Sequence, residues 1–338
     1  MPRCARPRAR SRDRGGVTES EAFGSRVRTV FIGSGGFAVP SLQTVATHPD
    51  VEIVGVVTAP RRPAARRREL VPTPIDQAAD ALGIRAVRRP PRLRDPEAIA
   101  DVLAMRPGLV VLADYGQIVP APLLDVAHGA LNVHPSLLPR HRGATPIPAA
   151  ILAGDSVTGV TLMRMDAGLD TGPIVAQVRI PMDGTETAPD LEARLAVVAA
   201  DLLNGRLGPW LRGMVDARPQ PGVGVTLTRP LRREDGRLDP EQPAVVLERQ
   251  VRAYQPWPAT FVDTMHGRLV IWSADGGSAS GDRGAPPGTF TVVGLVVGNG
   301  ERLVLGEVQP AGGRRMPWED FVRGRPTIVG SRVVPPSA

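Results

Sequence analysis

Residues 27–40 read VRTVFIGSGGFAVP, an apolar run that ends in glycines and passes straight into a segment of helical character. Three more runs repeat the theme: VEIVGVVT at 51–58, LVVLA at 109–113 and GALNVH at 129–134. Runs this short and this continuously apolar suit strands buried on both faces. Helical patterns over 74–82 and 95–105 lie between them, so the alternation predicts an α/β fold with a doubly wound, mostly parallel sheet. TGVTLMRM (158–165) and IVAQVRI (174–180) read as two further strands around a turn, and a helix is expected from Ala188 to Met214.

The Pro- and Gly-rich stretch DARPQPGVG at 216–224 reads as a linker. Beyond it, a short helix near 243–253 and the Gly-punctuated runs RLVIW, PGTFTVV, GLVVG and RLVLGEV predict a smaller, OB-like β-barrel domain. The expected organisation is a basic extension at 1–26, a catalytic domain at 27–215, a linker at 216–226, a second domain at 227–330 and a tail at 331–338.

The first turn satisfies G-x-G-x-x-G/A with Gly33, Gly35 and Ala38, the fingerprint of dinucleotide folds. A nicotinamide enzyme also wants an acidic residue at the end of the second strand to hold a ribose. Thr58, Ala59, Pro60 and Arg61 stand there, so a glycine-permitted turn beside a substrate cleft is the better reading.

Chemistry concentrates between Asn132 and Gly172. Asn132 and His134 are two apart on a strand and face the same side, Pro135 ends the strand's ladder, and Asp170 sits in the turn-rich DAGLDTG. An amide and an imidazolium donate to a developing oxyanion. A carboxylate beside the histidine is expected to raise its pKa, orient its ring and accept a proton through a water. No nucleophile for a covalent intermediate is evident: Cys4 lies in the leader and Ser136 lacks a G-x-S-x-G elbow.

The SLLP run (136–139) with Gly143 and Pro146 downstream, followed by DAGLDTG, resembles the active-site signature of the 10-formyltetrahydrofolate-dependent formyltransferases. That resemblance implies Asn132, His134 and Asp170 as the catalytic group, with Asp166 the loop's non-catalytic aspartate. It implies a folate site made from Ala113, Asp114, Tyr115, Gly116, Gln117 and Ile118, similar to the family's AYGQILP loop, and from Ser136, Leu137, Leu138 and Pro139. Asp114 stands where the family has alanine, and Ser34, Gly35 and Gly36 depart from its GTPDFAVP. DGRLD, LERQVRAYQPWP and QPAGGRRMPWEDFVRG further resemble the C-terminal domain of methionyl-tRNA formyltransferases. Within that family a basic loop after the second strand enters the tRNA acceptor stem. RRPAARRREL at 61–70 holds that place, which implies contacts from Arg61, Arg62, Arg66, Arg67 and Arg68.

The implied reaction is formyl transfer from 10-formyltetrahydrofolate, as co-substrate, to the amino group of initiator methionyl-tRNA, by a cytoplasmic protein that acts as a monomer. Two alternatives stay open: a formyltransferase for a nucleotide-linked amino sugar, and a catalytically silent RNA-binding protein of the same fold.

Composition sets limits on these readings. All 41 Lys+Arg positions are arginine, which excludes Schiff-base lysine chemistry and a Walker lysine. The formal net charge is +7, and residues 1–26 carry seven arginines against Asp13, Glu19 and Glu21, so the basicity is mostly that of the leader. The leader has no apolar run of the kind a secretory signal or anchor needs. A single cysteine excludes a disulfide framework, and no metal-ligand spacing occurs: His48, His128, His141 and His266 are scattered, and His141 is read as solvated or supporting. Trp210, Trp257, Trp272 and Trp318 are read as core anchors.

Overall fold

The computed structural model describes residues 26–63, 70–277 and 284–335. The extension through residue 25, the arginines at 66–68 and the last three tail residues lie outside the described residues.

The apolar runs form the strands β1 (Val27–Gly33), β2 (Val51–Val57), β3 (Val87–Arg88), β4 (Leu109–Ala113), β5 (Ala130–His134), β6 (Val157–Arg164) and β7 (Ile174–Pro181). They build one sheet in the order β7-β6-β5-β4-β1-β2-β3. From β3 to β5 every pairing is parallel, with β1 flanked by β2 and β4. The last two strands reverse: β6 runs antiparallel to both β5 and β7. All five residues of β4 and of β5 are buried, as expected where helices cover both faces.

Helices α1 (Ala38–Thr47), α2 (Pro74–Ala81), α3 (Pro96–Leu103), α4 (Pro146–Ala153) and α5 (Ala188–Leu211) surround the sheet. Proline opens α2, α3 and α4, where its missing N–H costs nothing. The long α5 starts on a capping box between Thr187 and Asp190 and buries Leu191, Leu195, Ala199, Leu202 and Leu203 along one stripe. It stops short of the expected Met214. A left-handed turn at Gly213 (φ 65) lets the Met214 N–H donate back to the Pro209 carbonyl at 2.9 Å.

After the linker come α6 (Ala244–Ala253) and the strands β8 (Thr260–Thr264), β9 (Gly267–Ile271), β10 (Ala274–Gly277), β11 (Gly294–Val297), β12 (Glu301–Leu305) and β13 (Glu307–Pro310), then α7 (Trp318–Gly324). Two small sheets, one running β8-β9-β13 and ending on the short strand Met316–Pro317, the other β10-β12-β11, enclose a second core with Leu247, Val251, Phe290, Leu303, Trp318 and Phe321. The result is a β-rich domain that differs in detail from the sequence expectation. RLVLGEV splits at Gly306, where the backbone lies too close to Ser273 for a side chain, and PGTFTVV makes only isolated bridges at Thr289 and Phe290. The strand β8 carries no Gly punctuation and is not among the expected runs. Trp318 stacks on Phe290 and Phe321, whereas Trp257 is 53% exposed, so it is no buried core anchor.

Candidate active site

The parallel strands end together. Gly33 of β1 pairs with Ala113 of β4, which pairs with Val133 of β5, so the loops at 34–37, 114–118 and 135–140 leave from one edge. Ligands of open α/β sheets bind outside such an edge. His134 is the last residue of β5 and Asn132 is its third, so Asn132 sits one pleat inside the sheet.

Asp170 arrives from the other direction. Because β6 is antiparallel to β5, its end lies beside the start of β5, where the Met165 N–H donates to the Ala130 carbonyl at 2.7 Å. The connection to β7 must then turn back along the face that Asn132 and His134 share. Asp166 closes that loop, accepting from the Gly168 N–H at 3.0 Å and the Thr171 hydroxyl at 2.7 Å. Asp170 itself is left-handed (φ 51), a conformation a non-glycine residue keeps only where its surroundings hold it.

There the trio meets. Asn132 Nδ2 donates to Asp170 Oδ1 at 3.3 Å, and the Gly143 N–H donates to Oδ2 at 2.7 Å. His134 Nδ1 lies 3.7 Å from the same Oδ2, too far for a direct hydrogen bond. On the opposite side of the ring, His134 Nε2 donates to the His141 carbonyl at 3.0 Å. A carbonyl accepts only, so Nε2 carries the proton and Nδ1 is the basic nitrogen that faces the carboxylate. Gly143 has φ 105 and sits against the Thr228 carbonyl, which leaves no place for a Cβ.

Electrostatics correct one sequence expectation. Burial is the dominant influence on His134 and holds its imidazole below the ordinary value of 6.5, against the raising effects of Asp170 and the His141 carbonyl. The ring is therefore neutral near pH 7. The solvated reading of His141 is also overturned: it is buried, with Nε2 2.8 Å from Asp155 Oδ2 and Thr226 Oγ1 3.3 Å from Nδ1.

The residues implied for folate divide by exposure. Ala113 and Ser136 have no exposed surface, and Leu138 and Pro139 are buried. The Ser136 hydroxyl is already spent on the Arg140 carbonyl at 2.7 Å. Leu137 is half-buried. In the other loop, Gln117 turns away to bond the Leu93 N–H at 2.7 Å, Gly116 is open, and Ile118 is 80% exposed. Burial pushes the Tyr115 hydroxyl up to about 12, and that hydroxyl has no hydrogen-bond partner among the described residues. Asp114, also left-handed (φ 48), lays its carboxyl so close to Gly35 that any side chain there would overlap it. A side chain at Gly35 would have to displace that carboxyl. Asp114 is an exposed residue, yet desolvation by the protein around its carboxyl raises its pKa, and Glu192 is raised by burial and then by Asp114.

The basic loop springs from a two-residue ladder in which Arg62–Pro63 pairs with Leu70–Val71. Arg62 is exposed. Arg61 is not a free cation: its Nε donates to the buried Asp76 at 3.0 Å, and Arg89 Nε donates to the same carboxylate at 2.7 Å. Arg66, Arg67 and Arg68 lie outside the described residues.

The segment read as a linker is bonded along the site. Arg218 exchanges both backbone hydrogen bonds with Ile174, at 2.7 and 2.8 Å. The Thr226 hydroxyl accepts from the His141 N–H at 2.7 Å, and Leu227–Thr228 pairs in parallel with Arg142–Gly143. Gln220 reaches the Asp170 loop itself. Its sequence signal was hidden by the flanking Pro219 and Pro221, which mark loop and say nothing of contacts.

Among the described residues no group of three or more His, Cys, Asp or Glu is placed to hold a metal ion, and no helix is long and apolar enough to cross a membrane.

Residues 27–207 match the formyl transferase family, and residues 230–326 match the formyl transferase C-terminal domain. A methionyl-tRNA formyltransferase from Roseiflexus sp. (strain RS-1) is 42% identical over 318 residues, covering 92% of this chain and 97% of that protein. Another from Halorhodospira halophila is 42% identical over 311 residues, covering 90% and 99%. Among solved structures, the N-formyltransferase from Helicobacter canadensis, with folinic acid and dTDP-3-aminofucose, superposes with a TM-score of 0.58 at 16% identity, covering 82% of this chain and 98% of that one. HypX from Aquifex aeolicus in complex with tetrahydrofolic acid gives 0.59 at 16% identity, covering 88% and 47%. These two likenesses are of fold.

Proposed function

The chain belongs to the methionyl-tRNA formyltransferase family, and from that premise we propose which residues carry the transfer and how. Members of this family transfer a formyl group from a formyl-tetrahydrofolate to a charged tRNA; here the donor is 10-formyltetrahydrofolate and the acceptor the α-amino group of initiator methionyl-tRNA. One observation supports the roles below: a buried neutral imidazole whose basic Nδ1 faces a carboxylate held, among the described residues, by neutral N–H donors.

Attack of the amine on the formyl carbon puts negative charge on oxygen and positive charge on nitrogen. Asn132 spends one amide hydrogen on Asp170, and its second meets the oxyanion. His134 Nδ1 takes the surplus proton from the nitrogen. Asp170 then faces an imidazolium and stabilises it, as the carboxylate of a catalytic triad does. His134 gives the proton to the departing N10 as the carbon–nitrogen bond breaks. The N-formylated amino group and tetrahydrofolate result, and the imidazole returns neutral. Burial of His134 keeps the base unprotonated before attack, which a solvated histidine paired with a carboxylate would not ensure.

In the same reading the loop at 114–118 and Leu137 border the pterin, while Arg62, the arginines at 66–68 and the C-terminal domain hold the tRNA, with the protein acting as a monomer. The test offers 10-formyltetrahydrofolate with charged initiator tRNA or with an amino-sugar nucleotide. Formyl-methionyl-tRNA is the expected product, and formylation of the sugar alone would overturn the acceptor assignment. Sedimentation checks the monomer.

A further inference from the structure

Gln220 uses every hydrogen-bonding position of its side-chain amide. Nε2 donates to the carbonyl of Asp170 and to that of Gly172, each at 2.8 Å. Oε1 accepts from Arg142 Nε at 3.1 Å and Nη2 at 2.7 Å. Two donors and two acceptor lone pairs are all an amide has, so the group has one orientation: a flip would set its oxygen against two carbonyls.

Both ends of that amide serve the Asp170 carboxylate. One end fixes the backbone of Asp170, whose left-handed conformation has to be held from outside. The other fixes Arg142, whose next residue is Gly143, the backbone donor 2.7 Å from Asp170 Oδ2. The two loops meet through Gln220, and Gln220 belongs to neither; it lies in the chain that joins the domains. Its neighbours are tied down on both sides, by Arg218 to Ile174 and by Thr226 to His141.

We propose that Gln220 is a positioning residue for the transfer: it sets the distance between the Asp170 carboxylate and His134 Nδ1, so that the interdomain segment completes the active site. This rests on the proton-handling roles given above to Asp170 and His134. Release of the two carbonyls lets Asp170 relax away from the imidazole. A displacement on the order of 1 Å at such a site is enough to cost about a hundredfold in rate. The imidazole loses the influence that opposes burial, so the protonation that silences it moves to lower pH.

The experiment compares Gln220→Ala, Gln220→Glu and Asp170→Ala with Thr145→Ala, which removes a bond from the same segment, Thr145 Oγ1 to the Arg229 carbonyl at 3.0 Å, without touching the Asp170 loop. Glutamate at 220 still accepts from Arg142 but has no proton for the two carbonyls. Both Gln220 variants should lose about tenfold or more in kcat, with KM for folate and for charged tRNA within about twofold of wild type. The acid limb of their kcat profile should shift to lower pH, and Thr145→Ala should show neither change. Wild-type kcat and pH profile in both Gln220 variants, with Asp170→Ala inactive, would overturn the inference and leave the role of Asp170 standing. Loss of kcat with an unmoved acid limb, shared by Thr145→Ala, would also overturn it, since a merely structural tie predicts that. An active Asp170→Ala would remove the premise and the inference together.

Discussion

Two aspartates sit at opposite sides of one sheet, Asp76 buried and Asp170 partly exposed, and their partners differ in kind. Asp76, at the β3 side, is clasped by the guanidiniums of Arg61 and Arg89, and among the described residues nothing neutral bonds its carboxylate. Burial pushes its pKa up, but the two arginine bonds outweigh burial and hold the carboxyl below the usual range. Asp170, at the β5 side, receives an amide from Asn132, a backbone N–H from Gly143 and the approach of a neutral imidazole. Cations saturate the first and fix it as a joint between the loop after β2 and the segment after β3. Neutral donors position the second, and in the proposed reaction its charge is left for an imidazolium that forms only during the transfer.

The largest effect should come from the reactive side. Asp170→Ala, His134→Ala and Asn132→Ala are each expected to lower turnover roughly a hundredfold or more, about 2.7 kcal/mol in barrier, with a native circular dichroism spectrum. Near-normal turnover at saturating substrates in any one of them would end its assignment. On the acid side, wild-type turnover should fall only below the ordinary histidine value of 6.5, because neutral His134 is the active form and burial lowers its pKa.

Next in size, Asp76→Ala should leave turnover at saturating substrate intact and cost about 2 kcal/mol in urea denaturation, between the values for exposed and buried ion pairs because both arginines reach solvent. The sign with pH follows from the lowered carboxyl. Its stabilisation is present above the ordinary value of 3.8 and is lost as pH falls through the native-state pKa, so Asp76→Asn should flatten that part of the stability profile. Equal loss of turnover would erase the contrast between the two aspartates.

A smaller change, in binding alone, is expected from Arg66, Arg67 and Arg68 replaced together by alanine. Affinity for charged tRNA should fall while folate affinity holds, and the log–log salt slope should flatten by about one unit for each phosphate no longer neutralised. Titrations at several salt concentrations check this, and an unchanged slope would move tRNA recognition to the C-terminal domain. The smallest effect is at Asp114. Its raised pKa means that its stabilising contribution is full below 3.8 and lost as pH rises through the native-state value, so at neutral pH the charge is a burden. Asp114→Asn should raise Tm by about 1 °C, a small figure because the residue is exposed. A drop in Tm would mean that the carboxylate holds the Gly35 turn.

The parallel half of the sheet was legible because its strands are buried on both faces and read as unbroken apolar runs. Asn132 and His134 were legible for the same reason, since the period of two on β5 puts them on one face. Asp170 was legible as a turn residue, but the direction of its approach was not: nothing in TGVTLMRM says that the strand runs antiparallel to its neighbour. The ionisation of His134 was misread because a carboxylate nearby is visible in sequence and burial is not. Gln220 was illegible on principle. Its partners are backbone carbonyls, which every sequence contains, and a guanidinium in a chain full of them.

The pairing of Leu227–Thr228 with Arg142–Gly143 also bears on modularity. Counted by hydrophobic cores, the two domains look exchangeable, and a natural cut falls just after α5. Counted by hydrogen bonds, the joining segment is the property of the first domain. A chimera that imports a foreign C-terminal domain together with its own connector would strip His141, Arg142 and Thr145 of partners that Thr226 and Thr228 now supply. The heritable unit of catalysis in this fold therefore extends past its own core, and exchanges between relatives should respect a seam near residue 230 rather than one near 215.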